Sequence, residues 1–179
     1  MSTSLHPTSH HPLPGWALVG LAALMSAGLG AAIWVAQHLH PDRSLGEAAL
    51  FVHLASMVLG FGAVLVVDWV GLQWMLGRRD LSDVVSTAGQ VQAPVWAGLI
   101  GLVLSGILLE PDADNRLTQV KLGLVLVVTW NGLLACVLHR RMAKVSPRAP
   151  RILLMMGALS GAISQAGWWG AMVIGFLNR

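Results

Sequence analysis

Five apolar stretches, at about 15–37, 47–76, 93–109, 119–138 and 152–177, take up most of this 179-residue chain. Each has the ~17 residues or more needed to cross ~30 Å of hydrocarbon. In lipid, a helix is the single-segment structure that satisfies its own backbone hydrogen bonds. The pattern therefore predicts an all-α integral membrane protein, a bundle of five transmembrane helices. Residues are 55% hydrophobic and 11% charged, too apolar a balance for a soluble domain of this size. Little chain is left for a soluble catalytic domain, so any chemistry must come from helix-borne side chains and short loops. No internal repeat is visible. The reading is a tail over 1–14, then one domain over 15–179 with a four-helix core and an N-terminal packing helix. Small residues four apart suit close packing in lipid: Ala23, Ala27 and Ala31 in the first helix, and Ala158, Ala162, Ala166 and Gly170 in the last.

The formal charge of +3 does not point to nucleic acid, because the basic residues sit in short loops, where lipid headgroups are their expected neighbours. Arg78, Arg79, Arg140, Arg141, Lys144, Arg148 and Arg151 fall on one side of the bundle, seven against four for Arg43, Arg116, Lys121 and Arg179. Basic loops stay cytoplasmic, so five crossings put the N-terminus in the cytoplasm and the C-terminus outside. The first apolar run is too long for a signal-peptide core and is expected to remain as a helix. Nine arginines to two lysines, with abundant Ala and Gly, suggest a bacterial genome rich in G and C, hence a bacterial plasma membrane. The lone Cys136 excludes an intramolecular disulfide and a multi-cysteine metal site.

An ionisable group inside a membrane costs at least ~2.5–3.5 kcal/mol, so each one calls for a partner or a purpose. His53, Glu110 and Lys121 are expected at one level near the outer face. His38, His40, Asp42 and Arg43 lie in the adjoining loop. On helical phase His53, Met57, Gly60, Val64, Asp68 and Gly71 share an inward stripe. Gly60 and Gly62 leave space beside His53 for a close helix crossing or for a flat ligand, and sequence does not separate the two. Lys121, Val125, Val128, Gly132 and His139 share a face of the fourth helix, with Asn131 to one side; Gln165, Trp168 and Trp169 lie at mid-membrane in the fifth. Asp68 is expected near the inner interface, within reach of Arg78 or Arg79. His53 reads as a ligand, a proton-transfer group or a structural hydrogen bonder, and Lys121 as a site residue or a snorkelling interface residue. His6, His10 and His11 resemble a metal-binding tract, but in a proline-containing tail.

From Phe51 onward the chain resembles the small membrane protoporphyrinogen IX oxidases of the HemJ type and their copper-resistance-D-like relatives. The likeness rests on Val52-His53-Leu54 followed by Gly60-Phe61-Gly62, on Pro94 and the run Gly106-Ile107-Leu108-Leu109-Glu110-Pro111, and on Val120-Lys121-Leu122 leading to His139-Arg140-Arg141. Asp68-Trp69 stands where those proteins carry an arginine, Gln119 where they carry a histidine, and Ser164-Gln165-Ala166-Gly167 where they carry Asn-Glu-Ala-Pro. The resemblance implies haem b binding at His53 and Lys121; with the reading of the residues it suggests haem b or a related tetrapyrrole on His53, Lys121 placed for a propionate, and Met57, Gly60, Trp168 and Trp169 bordering the ring. Met57 is too near His53 to be the opposite axial ligand; that ligand must come from elsewhere, with His38 and His40 as candidates. A haem-dependent membrane oxidoreductase is the activity so implied. Two other classes meet the same residues. One is a permease-like protein passing copper or another small solute by His38, His40, His53 and Met57, since imidazole and thioether suit soft cations. The other is an accessory subunit packed in a homo-oligomer or a larger membrane complex.

Overall fold

The ends of the helices are written in short polar signals that the computed structural model, which describes residues 14–146 and 148–178, shows in use. The tail over 1–13, with His6, His10 and His11, and Arg179 lie outside the described residues. Six helices follow in order: α1 Gly15–Ala36, α2 Arg43–Met75, α3 Leu81–Gln90, α4 Gln92–Ile107, α5 Arg116–Val145 and α6 Arg151–Leu177. Asp42 caps α2, its carboxylate accepting from Leu45 N–H at 2.8 Å and from the Ser44 hydroxyl. These bonds, that from Leu45 first, hold the Asp42 carboxyl below its ordinary range. Asn115 caps α5 through Leu117 N–H, and Pro14 and Pro150 precede α1 and α6. At the end of α2, Gly77 takes φ +70°. Arg78 N–H donates to the Gln73 carbonyl and Gly77 N–H to that of Trp74, the Schellman arrangement that closes a helix.

The sequence reading made 77–92 a loop, whereas ten of those residues form α3. Asp80 and Asp83 form its capping box, and Leu81 and Val85 bury its apolar side. Pro94 has no N–H to give the Gln90 carbonyl and its ring crowds that position; α3 and α4 meet there at 42°.

Three helices, α1, α2 and α5, are long and apolar enough to cross a membrane, and α3 with α4 makes a fourth if the bent pair is one span. At 27 residues α6 has the length, with Gln165 and two serines diluting its apolar run. The chain is an all-helical multi-pass membrane protein that meets the bilayer along these spans.

Packing divides the helices into two pairs, α2 on α4 and α5 on α6. α1 lies against α4 and α5, with Trp130 Nε1–H donating to Ser26 Oγ at 3.1 Å. α3 joins α2 to α5 at the end that carries Arg78, Arg79, Arg140 and Arg141, called here the basic end. Of the small-residue rows expected to pack, Ala23, Ala27 and Ala31, and Ala158, Ala162 and Ala166, are exposed, while Gly170 does pack, a Cβ there standing 2.8 Å from Leu124. The closest approaches use other small residues. A Cβ on Gly98 would stand 2.5 Å from Gly60 Cα, and one on Gly101 would collide with Ser56. Both helices carry more than one row of small residues, and the polar pairs between helices decide which row turns inward.

Candidate functional site

The inward stripe of α2 is buried or half-buried at every position, from His53 through Met57, Gly60, Val64 and Asp68 to Gly71. It crosses three levels of the bundle: a polar group, an apolar plug, and a cleft.

At the end opposite the basic loops, Ser105 on α4 is 4% exposed and donates to the Gly101 carbonyl at 2.6 Å. Its single proton is thereby used, so its oxygen accepts from His53 Nδ1–H at 3.0 Å. That bond places the ring proton on Nδ1 and leaves the lone pair on Nε2. Lys121 opens toward α6, its Nζ 3.5 Å from where a Cβ on Gly175 would stand, and its charge acts on the His53 ring. Asn178 ties α6 to α5 here by donating to Thr118 Oγ1 at 2.9 Å and accepting from Asn115 Nδ2 at 3.0 Å.

Glu110 stands apart from this group. It has φ 45° in the connection after α4 and faces His40 at 3.6 Å, the two side chains 56% and 86% exposed. His38 Nδ1–H donates to the Trp34 carbonyl at 2.8 Å and its ring lies against Trp34. Neither loop histidine is brought to His53. The space at Gly60 is a helix crossing: a Cβ there would meet Trp168 at 2.9 Å and Gly98 Cα at 3.2 Å. His53 Nε2 suits an iron ligand whose other nitrogen is anchored, but Gly60 offers no bed for a macrocycle. No group of three or more metal-binding His, Cys, Asp or Glu side chains occurs among the described residues.

Phe61, Val64, Leu99, Val128 and Trp168 close the middle of the bundle. Phe61 stacks on Trp168 with centroids 5.8 Å apart and meets Trp169 edge-on at 5.2 Å. Trp168 is 4% exposed, so it is core, while Trp169 is half exposed. The indole N–H of Trp168 and Nδ1 of His139 are buried without a hydrogen-bond partner among the described residues.

Beyond the plug, toward the basic end, a cleft of about 940 Å³ opens between the two helix pairs, with α3 across its mouth. Among the described residues Asp68 is its single carboxylate, and it is not paired with a loop arginine. Gln165 Nε2 donates to Asp68 Oδ2, while Arg79 lies 3.8 Å from Asp83. Seven residues of helix lie between Asp68 and the end of α2 at Met75, about 10 Å of rise, which puts it inside the bundle. Asn131, 7% exposed, forms a second cross-helix pair: its Nδ2 donates to the Ser160 carbonyl and its Oδ1 accepts from Ser160 Oγ. His139 lies over Gly89, where a Cβ would stand 2.9 Å from its ring, and that contact seats α3 on α5.

The sequence reading therefore named Asp68, Asn131, Gln165 and Trp168 without seeing that they line one cavity. It missed Ser105, Gly98, Ser160 and α3. Comparison with protein-family models, curated proteins and solved structures returns no match to this chain.

Proposed function

We propose that the chain is a five-crossing protein of a bacterial plasma membrane that binds a small solute in its cleft, in the manner of a permease. In this reading α1, α2, the bent α3–α4 pair, α5 and α6 each cross. The basic end faces the cytoplasm, by the seven-to-four distribution of Lys and Arg. The observation that carries it is the cleft itself. It has ligand size, holds an intramembrane carboxylate, and is separated from the His53 level by the Phe61–Trp168 plug. Intramembrane ionisable residues mark solute and ion pathways, and here two polar levels flank one apolar seal.

The plug is tested with cysteines introduced on a Cys136→Ser background. A membrane-impermeant maleimide supplied from the basic side is expected to label Ser164→Cys, which lines the cleft, and to spare Met57→Cys beyond the plug. Adding Phe61→Ala is expected to expose Met57→Cys to the same reagent. Continued protection in the Phe61→Ala protein would remove the plug from the account and leave the accessory-subunit reading ahead.

One observation favours a second reading, the haem-binding oxidoreductase implied by the HemJ resemblance. The Ser105 bond gives His53 the tautomer an axial ligand needs. A haem would supply redox chemistry at its iron; His53 would hold it and Lys121 would meet a propionate. On this reading the purified protein is red, His53→Ala loses the Soret band, and Lys121→Ala weakens haem retention by less. A colourless protein after expression with ample haem excludes it.

A further inference from the structure

We infer that the cleft takes lipophilic organic cations, with the cationic centre held at Asp68 and the apolar body against tryptophan. The inference rests on the cleft being a ligand site and names the ligand class. Its first support is charge. Among the described residues Asp68 is the one carboxylate lining the cleft, and neither lysine nor arginine lines it. Gln165 engages Oδ2. Oδ1 faces Gly161 of α6, where an added Cβ would come into ordinary van der Waals contact with it at 3.8 Å, so the glycine leaves methyl-sized room beside the second oxygen. A carboxylate in apolar surroundings needs a counter-charge or a proton, and no basic side chain lies within ion-pair distance of it among the described residues.

The second support is the wall. Trp69, Trp74, Trp96 and Trp168 all line the cleft, half of the eight tryptophans in the chain. Indole faces attract cations more strongly than other aromatic rings do. The remaining lining is mostly aliphatic, which suits an apolar body and repels a small hydrated ion such as Na⁺. Free anions are disfavoured by Asp68, and carbohydrates by the few hydrogen-bonding groups, of which Asn131 and Ser160 already satisfy each other. A bulky ammonium or phosphonium with hydrocarbon or aryl substituents meets both features.

The test is equilibrium dialysis of the purified full-length protein in mild detergent against three probes of similar size. These are tetraphenylphosphonium, uncharged triphenylphosphine oxide and anionic tetraphenylborate. The expected result is that the cation binds more tightly than both others by about tenfold or more, as a charge partner and cation–π contacts allow. Asp68→Asn should remove that preference, and Gly161→Leu, which fills the room beside Asp68, should weaken every probe that binds. Equal binding of the three probes by the wild-type protein, lost in Gly161→Leu, overturns the cation assignment and leaves the cleft as a ligand site. No binding of any probe overturns the ligand site as well. The comparison of probes uses the wild-type chain, so the outcome does not depend on Asp68→Asn folding.

Discussion

His53 shows how far a single residue is legible. Helical phase alone places it on the inward stripe with Asp68, because both fall on one side of a helix at ~100° per residue. Its partner is invisible in sequence: Ser105 lies 52 residues away, and nothing in its own apolar run says which helix it faces. The bond makes Ser105 a precise structural test. Ser105→Ala leaves the His53 ring with the Leu102 carbonyl as its remaining partner, a loss of roughly 0.5–1.5 kcal/mol for one buried hydrogen bond. Thermal unfolding in detergent should show it as a lower midpoint, and Ser105→Thr, which keeps the hydroxyl, should recover part of the loss. An unchanged midpoint in Ser105→Ala would mean that His53 finds another acceptor, and the tautomer argued from this bond would no longer stand. Glu110 shows a different limit. Its depth follows from helix length, but its direction follows from a positive φ in the connection after α4, which nothing local announces.

At the scale of elements, every long apolar run became a helix because length and apolarity are local properties, although α5 continues seven residues past its expected end to Val145, through the basic stretch after Leu138. The exception is α3. Its sequence, LSDVVSTAGQ, is short and half polar, and its apolar side, Leu81 and Val85, is buried where it packs on α2 and α5. The alanine rows failed as packing signals, since a row of alanines permits close contact without choosing a partner. Two glycines separate permission from use. Gly98→Ala puts a methyl into Gly60 and should force α2 and α4 apart, an overpacking cost of roughly 1–3 kcal/mol. Gly62→Ala has nothing within 4 Å of its new methyl, and should be neutral or slightly stabilising, as alanine is the better helix former. Unfolding midpoints of the two variants measure the difference. Equal effects would show that the Gly60–Gly98 crossing does not hold the pair together.

For the whole molecule, the class was readable and the site was not. Apolar length identifies a multi-pass membrane chain. The cleft lies between the α2–α4 and α5–α6 pairs, and pairing between helices is not encoded in any one of them. The native Cys136 reports on that arrangement directly. It is the single cysteine of the chain, sits in the second half of α5 and lines the cleft. In membrane vesicles of defined orientation, an impermeant maleimide is expected to label Cys136 when the cytoplasmic face is outward and to leave it unreacted when the external face is outward. Tetraphenylphosphonium should slow that labelling. Reaction from the external face, or a Cys136 that resists the reagent from both sides, would contradict a solute cleft open to the cytoplasmic end.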